Sequence, residues 1–222
     1  MEEKRTKHGL VAKIAVEEIV TSLEKEIIFG FLLPRQRLYE DELMFRFSAK
    51  RHVVRSAIQE LEQRGIVHKY PNRGAQVKFY TRDEVDDLYK LRRILHEAAA
   101  KMIKLPPKTD WLDDLNRIQE LHSQAIYNND IEAIYQHNNS FHKILFQGTG
   151  SASIAEAINF SNSKTHGIRS HGLNNKELQK IAEKEHLEML SFASTGDLEG
   201  LADCCLKHME PAKKFYIEKF CP

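Results

Sequence analysis

Phe47-Ser48-Ala49-Lys50-Arg51-His52-Val53-Val54-Arg55-Ser56-Ala57-Ile58 sets two arginines four residues apart beside an apolar row. Val54, Ala57, Ile58 and Leu61 fall at i, i+3, i+4 and i+7, the spacing that puts side chains on one face of a helix. With that row packed on a small core, Lys50, Arg51, His52 and Arg55 project outward together. Such a cluster on a short helix suits the reading of DNA, although a plain amphipathic surface helix has the same period.

The flanks strengthen the DNA reading. Glu40 to Phe47 reads as a short preceding helix, and Gly65 stands where a left-handed C-cap would stop the second one. Val67 to Tyr70 and Ala75 to Tyr80 then read as two strands joined by Pro71-Asn72-Arg73-Gly74, a turn with a basic tip. Helix, turn, helix and basic hairpin describe a winged helix-turn-helix, which places one helix in the major groove and the wing over the backbone or minor groove. The residues expected at DNA are Lys50, Arg51, His52 and Arg55 on the helix, with Arg73 and Gly74 at the wing.

This segment resembles the GntR family of bacterial transcription regulators. The resemblance runs in order through Ile27, Gly30, Pro34, Leu38, Glu40, Leu43, Arg51, Val54, Arg55, Ala57, Leu61, Gly65, Arg73, Gly74 and Val77. Three positions depart from the family pattern. Arg35 stands where glycine is usual after the proline, Lys50 where serine is usual, and Val53 where proline is usual. None removes an arginine expected at DNA.

At 222 residues with 41% hydrophobic content, the chain can build two modest domains. We read 1–80 as the winged helix-turn-helix and 81–222 as an all-helical effector-binding and dimerisation domain. No run of about 18 apolar residues is present and the start, Met1-Glu2-Glu3-Lys4-Arg5, has no apolar core of a signal segment, so a cytoplasmic protein without membrane partners is expected. Cys204, Cys205 and Cys221 lack the C-x-x-C spacing of structural zinc. The net charge of +1 hides an asymmetry: residues 1–80 hold 15 Lys/Arg against 11 Asp/Glu, the remainder 18 against 21. The basic surplus lies with the reading helix and wing, where phosphate contact needs it.

From Thr81 onward no strand is expected. Punctuation at Pro106-Pro107, Asn128-Asn129, Gly148-Thr149-Gly150, the loop near Gly172 to Asn175, and Gly196 divides six helices. The expected fold is therefore mainly α, with a small β-hairpin in the N-terminal domain and an antiparallel six-helix bundle after it. This half resembles the FCD effector-binding domain of the FadR-type regulators, through Leu88 to Arg92, Asn138 to His142, the spaced His186 and His208, and Gly196-Asp197. Six helices point to the shorter, VanR-like branch.

Eleven histidines are too many for all to be functional. Asn138 and His142 are one turn apart, and Phe141 and Leu145 turn that side of the helix inward. His186 and His208 lie about equally far from the fold-back at Gly196, so they can meet. Three neutral imidazoles and a side-chain oxygen inside a bundle suit a divalent transition metal, zinc or nickel first, with positions left for a ligand. In the resembled family these positions form a metal site, whose first residue is usually aspartate rather than Asn138. The plainer alternative is a metal-free polar pocket. The resemblance also implies that Arg92 reaches ligands, whereas the plainer reading is a surface ion pair with Glu97 or Asp87. His96 replaces the family's usual glutamate; His137, His166 and His171 have no assigned place.

These readings combine into a dimeric transcription regulator on an inverted-repeat operator of double-stranded DNA, sensing a small carboxylate effector held by the metal and Arg92. A metal-free regulator sensing acyl-CoA or another apolar ligand is the alternative. A metal-dependent hydrolase or oxygenase is remote, because no H-E-x-x-H run or free general base accompanies the histidines.

Overall fold

The computed structural model describes residues 2–70 and 74–221, with side chains from residue 15 onward. The chain divides into two compact units, Met1–Phe79 and Tyr80–Pro222.

In the first unit the long α1 (Glu2–Ile28) precedes β1 (Arg37–Leu38), α2 (Glu40–Arg46) and α3 (Arg51–Gln63), followed by β2 (Val67–Tyr70) and β3 (Gly74–Val77). Val54, Ala57, Ile58 and Leu61 of α3 are essentially inaccessible to solvent and share one core with Ile19, Val20, Leu23 and Ile27 of α1. The apolar row thus does what its spacing predicts, and it leaves Lys50, Arg51, His52 and Arg55 exposed. The helix starts later than the quoted stretch, since Lys50 is its N-cap and Phe47 to Ala49 form the turn. Gly65 follows the C-cap Arg64 in a left-handed conformation, φ 72°, as expected of a stop.

The sheet is antiparallel in the order β1-β3-β2, with Val67 opposite Val77 and Tyr70 opposite Gly74. The second expected strand ends at Val77 rather than Tyr80. β1 was not expected: two residues carry no readable alternation, and only pairing with β3 makes them a strand. Arg35, in place of the usual glycine, sits at φ 69°, and its guanidinium lies 3.6 Å from the centre of the Phe79 ring. A left-handed residue without glycine's freedom is thereby held by a cation–π contact.

The second unit is all helical among its described residues: α4 (Arg82–Lys101), α5 (Thr109–Asn128), α6 (Ile131–Gln147), α7 (Ala152–Lys164), α8 (His166–Ser170), α9 (Lys176–Thr195) and α10 (Leu198–Phe220). Caps explain the boundaries. Thr81 closes a capping box with Glu84, Asp130 accepts from Ala133 N, and Asp197 accepts from Gly200 N. Asn129 and Gly196 take left-handed turns that reverse the chain within two residues, bringing α5 onto α6 and α9 onto α10. The fourth expected helix breaks at Thr165 into α7 and α8, so the six segments become seven, and the shorter-branch reading rests on counting those two as one. Leu115, Phe141, Leu145, Met189 and Leu201 lie at the centre of the bundle's core.

Candidate functional site

Each unit carries a candidate site. On the reading helix, the exposed arginines are tied to carboxylates of α2. Arg51 donates to Glu40 at 3.2 Å and to Asp41 at 2.7 Å, while Arg55 Nε donates to both Glu40 oxygens at 3.1 and 3.0 Å. Exposed pairs of this kind contribute about 0–1 kcal/mol, so phosphate or a base edge can replace the carboxylates at little cost. Gly74 has φ 74°, and a Cβ there would stand 3.0 Å from Leu38 O, so close strand approach accounts for glycine at this position. Arg73 lies outside the described residues.

In the helical unit, α6, α9 and α10 bring His142, His186 and His208 together, with ligating atoms all within 4.8 Å of one another. His142 Nε2 and His208 Nε2 face each other at 3.1 Å, and the His186 ring stacks on Phe141 at 4.1 Å. Asn138, one turn before His142, lines a cavity of about 90 Å³ with His142, His208, Arg92, His122 and Arg169. The nearly equal spacing of His186 and His208 from Gly196 is what lets the fold-back bring them together.

The neighbours of these rings decide their chemistry. Gln119 Nε2 donates to Ser123 Oγ, which directs its Oε1 at His186 Nδ1, 2.8 Å away. An amide oxygen only accepts, so His186 Nδ1 carries the proton and Nε2 keeps its lone pair. Glu185 Oε2 does the same at 2.9 Å from His208 Nδ1. Both Nε2 atoms are thereby made ready to ligate, and acceptors on the far nitrogens are the usual support of metal-bound histidines. His186 Nε2 is buried without a partner. Two nitrogens at 3.1 Å also need a proton or a cation between them, and Zn–N bonds of about 2.0–2.1 Å set neighbouring ligand nitrogens roughly that far apart. Burial holds the pKa values of His142 and His186 well below the ordinary imidazole value, so they stay neutral and available. The donor set fits a divalent transition metal.

Arg92 is 3% exposed and takes part in no ion pair among the described residues; Glu97 is bonded to Lys101 instead. The surface-pair alternative therefore falls. Burial first and the nearby charge of Arg169 second push the Arg92 pKa down to about 10. His96 packs on Phe146 at 4.8 Å, His166 lies 2.8 Å from the Tyr135 hydroxyl, and His171 sits against Tyr216 and Phe220.

Sequence reasoning passed over Gln119, His122, Arg169 and Glu185. The first two had a signal: Leu115, Gln119 and His122 follow the i, i+4, i+7 row of a buried face, and all three are buried. Glu185 had one too, as the polar member of the 185, 189, 193 row whose other residues are Met189 and Ala193. Arg169 had none, because the short α8 has no period. Glu185 also adds charge to the site: Asn138 is neutral, yet a carboxylate stands one hydrogen bond behind His208.

Residues 15–77 match the bacterial regulatory proteins of the gntR family, and residues 87–211 match the FCD domain. The chain is 22% identical over 192 residues to the uncharacterized HTH-type transcriptional regulator YdhC of Bacillus subtilis, covering 86% of each chain. It is 21% identical over 196 residues to the HTH-type transcriptional repressor RspR of Escherichia coli, covering 87% of this chain and 85% of the relative. A GntR transcriptional regulator from Rhodococcus sp. RHA1 has the same fold, with a TM-score of 0.72 at 20% identity over 92% of this chain and 98% of that one. McbR/YncC of E. coli gives 0.70 at 18% identity over 93% and 98%. These families and relatives are regulators, not enzymes. Among the described residues no helix is long and apolar enough to cross a membrane. With a winged reading head followed by an FCD domain, the chain belongs to the gntR family of bacterial regulatory proteins and is a DNA-binding transcription regulator of FadR-type architecture.

Proposed function

We propose that this regulator is governed by a small carboxylate bound in its helical unit to a divalent transition metal, zinc or nickel, and to Arg92. The carrying observation is the pair of acceptors, Gln119 Oε1 and Glu185 Oε2, that engage Nδ1 of His186 and His208 and leave their Nε2 atoms beside His142. His142, His186 and His208 hold the ion, with Asn138 as the oxygen ligand. The ion supplies positive charge and open coordination positions for an anion. Arg92, buried and without a carboxylate of its own, supplies the second anchor. Unpartnered donors around the cavity favour an acid over the alternative of a long acyl chain in a metal-free pocket.

At the other unit, Arg51 reads a base edge and Arg55 a phosphate or base near the helix start, and Lys50, His52, Arg73 and Gly74 also meet DNA. Two copies bind an inverted repeat in the cytoplasm, joined through their helical units. Exposed apolar residues on α4, Leu91 and Ile94, and at its C-cap, Met102, support that mode of pairing. Effector binding acts by favouring one arrangement of the bundle.

Metal analysis after reconstitution, together with binding of a selected operator measured with and without chelator, tests the proposal. One divalent ion per chain is expected, with operator affinity that responds to carboxylate only in the loaded protein. A chain that holds no divalent ion after purification and reconstitution sinks the metal mechanism.

A further inference from the structure

The cavity beside the histidines is rich in donors and poor in acceptors. Among its lining residues, Tyr89 Oη, Arg92 Nε and Nη1, Arg169 Nε, His122 Nδ1 and His142 Nδ1 are buried without a hydrogen-bond partner. The guanidinium nitrogens can only donate, so no rotation or tautomer satisfies them. Glu185 is the one carboxylate among the described lining residues, and its Oε2 already accepts from His208. Arg169 Nη2 reaches only neutral oxygens, Asn139 Oδ1 at 3.3 Å and Asn162 O at 3.5 Å. One buried guanidinium, that of Arg92, and one half-buried, that of Arg169 with its Nε enclosed, thus face one carboxylate, before a divalent ion adds two more charges. A single carboxylate at the ion and Arg92 leaves this balance strongly positive and leaves Arg169 Nε unused. A buried donor without an acceptor is costly, and a buried cation without a counter-charge more so.

We propose that the effector is a short dicarboxylate, of the size of malonate or succinate, with one carboxylate at the histidine end and the other on Arg169, Arg92 bridging the two. The first anchor rests on the metal reading above; the second rests on the arginines alone. Arg169 is therefore the residue that separates dianions from monoanions. The small size follows from the cavity of about 90 Å³, and the fork of a guanidinium matches a carboxylate edge better than a point charge does.

Calorimetry on the full chain, zinc-loaded and again after chelation, with acetate, malonate, succinate and inorganic phosphate as probes, tests this. In the loaded protein the better dicarboxylate should bind about tenfold or more tightly than acetate. Arg169→Gln should remove that margin while acetate affinity stays within about twofold, and Arg169→Lys, which keeps charge without the fork, should retain part of it. Should zinc fail to bind, the metal reading fails by itself; a dicarboxylate preference that persists in the stripped protein and depends on Arg169 still supports the second anchor. Equal binding of acetate and both dicarboxylates, a margin that survives Arg169→Gln, tighter binding of phosphate than of either diacid, or no binding of any probe in either state overturns the proposal. If Arg169→Gln does not fold, the wild-type comparison and Arg169→Lys still decide.

Discussion

Each unit of this regulator carries a pair of arginines, and the two pairs live in opposite physical states. Arg51 and Arg55 are about half exposed and already bonded to Glu40 and Asp41. Arg92 is enclosed at the cavity and Arg169 is half-buried there with its Nε shut off from solvent, and neither has a carboxylate partner among the described residues. Exposed cations with replaceable partners lose little when DNA displaces those partners, so their binding is fast to rearrange and sensitive to salt. Arg92 has lost its water, and Arg169 part of it, without gaining a counter-charge. Their environment asks for a ligand of specific charge and shape, and it answers poorly to anything else.

The largest expected effect breaks the enclosed side. His142→Ala should abolish metal retention at equimolar ion, read by metal analysis after desalting, because two histidines and an amide oxygen are too few strong ligands for a borderline-soft ion. Retention at wild-type stoichiometry would show that His142 is not a ligand. Next comes Glu185→Gln, which leaves the ring in place but removes the charge behind His208. Metal affinity should drop about 10–100-fold in competition with a chelating dye, and an unchanged value would reduce Glu185 to a packing residue.

On the exposed side, Arg51→Ala should cost about 1–3 kcal/mol of operator binding and relax base choice at one position, while Arg55→Ala should weaken all sequences and lower the salt slope if it meets phosphate. Wild-type binding by both variants would remove α3 from the major groove. A pH effect of similar size belongs to the helical unit. Burial, with Lys219 adding to it, pushes His171 down to about 4, below the ordinary value of 6.5. The unfolded chain then binds the proton first, so this contribution is complete above about pH 6.5 and is lost as pH falls toward 4. Metal-stripped protein should lose about 3 kcal/mol through this group, and His171→Phe should make the melting profile shallower by that amount, with His122, also held at about 4, keeping its own share.

The smallest effect sharpens the contrast. Asp41→Asn removes an 81% exposed carboxylate from Arg51. Stability should change by under about 1 kcal/mol, while DNA affinity rises a few-fold at low salt through loss of a competing negative charge. A large loss of stability would mean that the surface pairs hold the head together rather than wait for DNA.

Much of the first unit was legible because its information is local. The i, i+3, i+4, i+7 row of α3, the glycine after it and the strand pair all lie within about thirty residues, and each element announces its own partner face. β1 escaped because two residues have no period, and the tether of Arg51 to Asp41 escaped because exposed charges leave no spacing signal. In the second unit the helix boundaries were readable from caps at Thr81, Asp130 and Asp197. Of the three histidines, His142 was singled out by its spacing from Asn138, His186 and His208 by the fold-back at Gly196, and all three by family resemblance. The residues behind them were not.

By itself, then, the sequence determined a basic reading helix on an apolar row, a hairpin after it, and a set of capped helices with His142, His186 and His208 able to meet. Periodicity and capping are short-range properties, so one strand of text carries them. Only the tertiary structure decided which nitrogen of His186 and His208 is free, since that depends on Gln119 from α5 and Glu185 from α9. It also decided that Arg92 is a buried cation rather than a surface one, and that Arg169, from the five-residue α8, stands with it at one cavity. Burial and hydrogen-bond partnership are sums over elements distant in the chain, and a protonation state or an unmet charge exists only once those elements have closed around it.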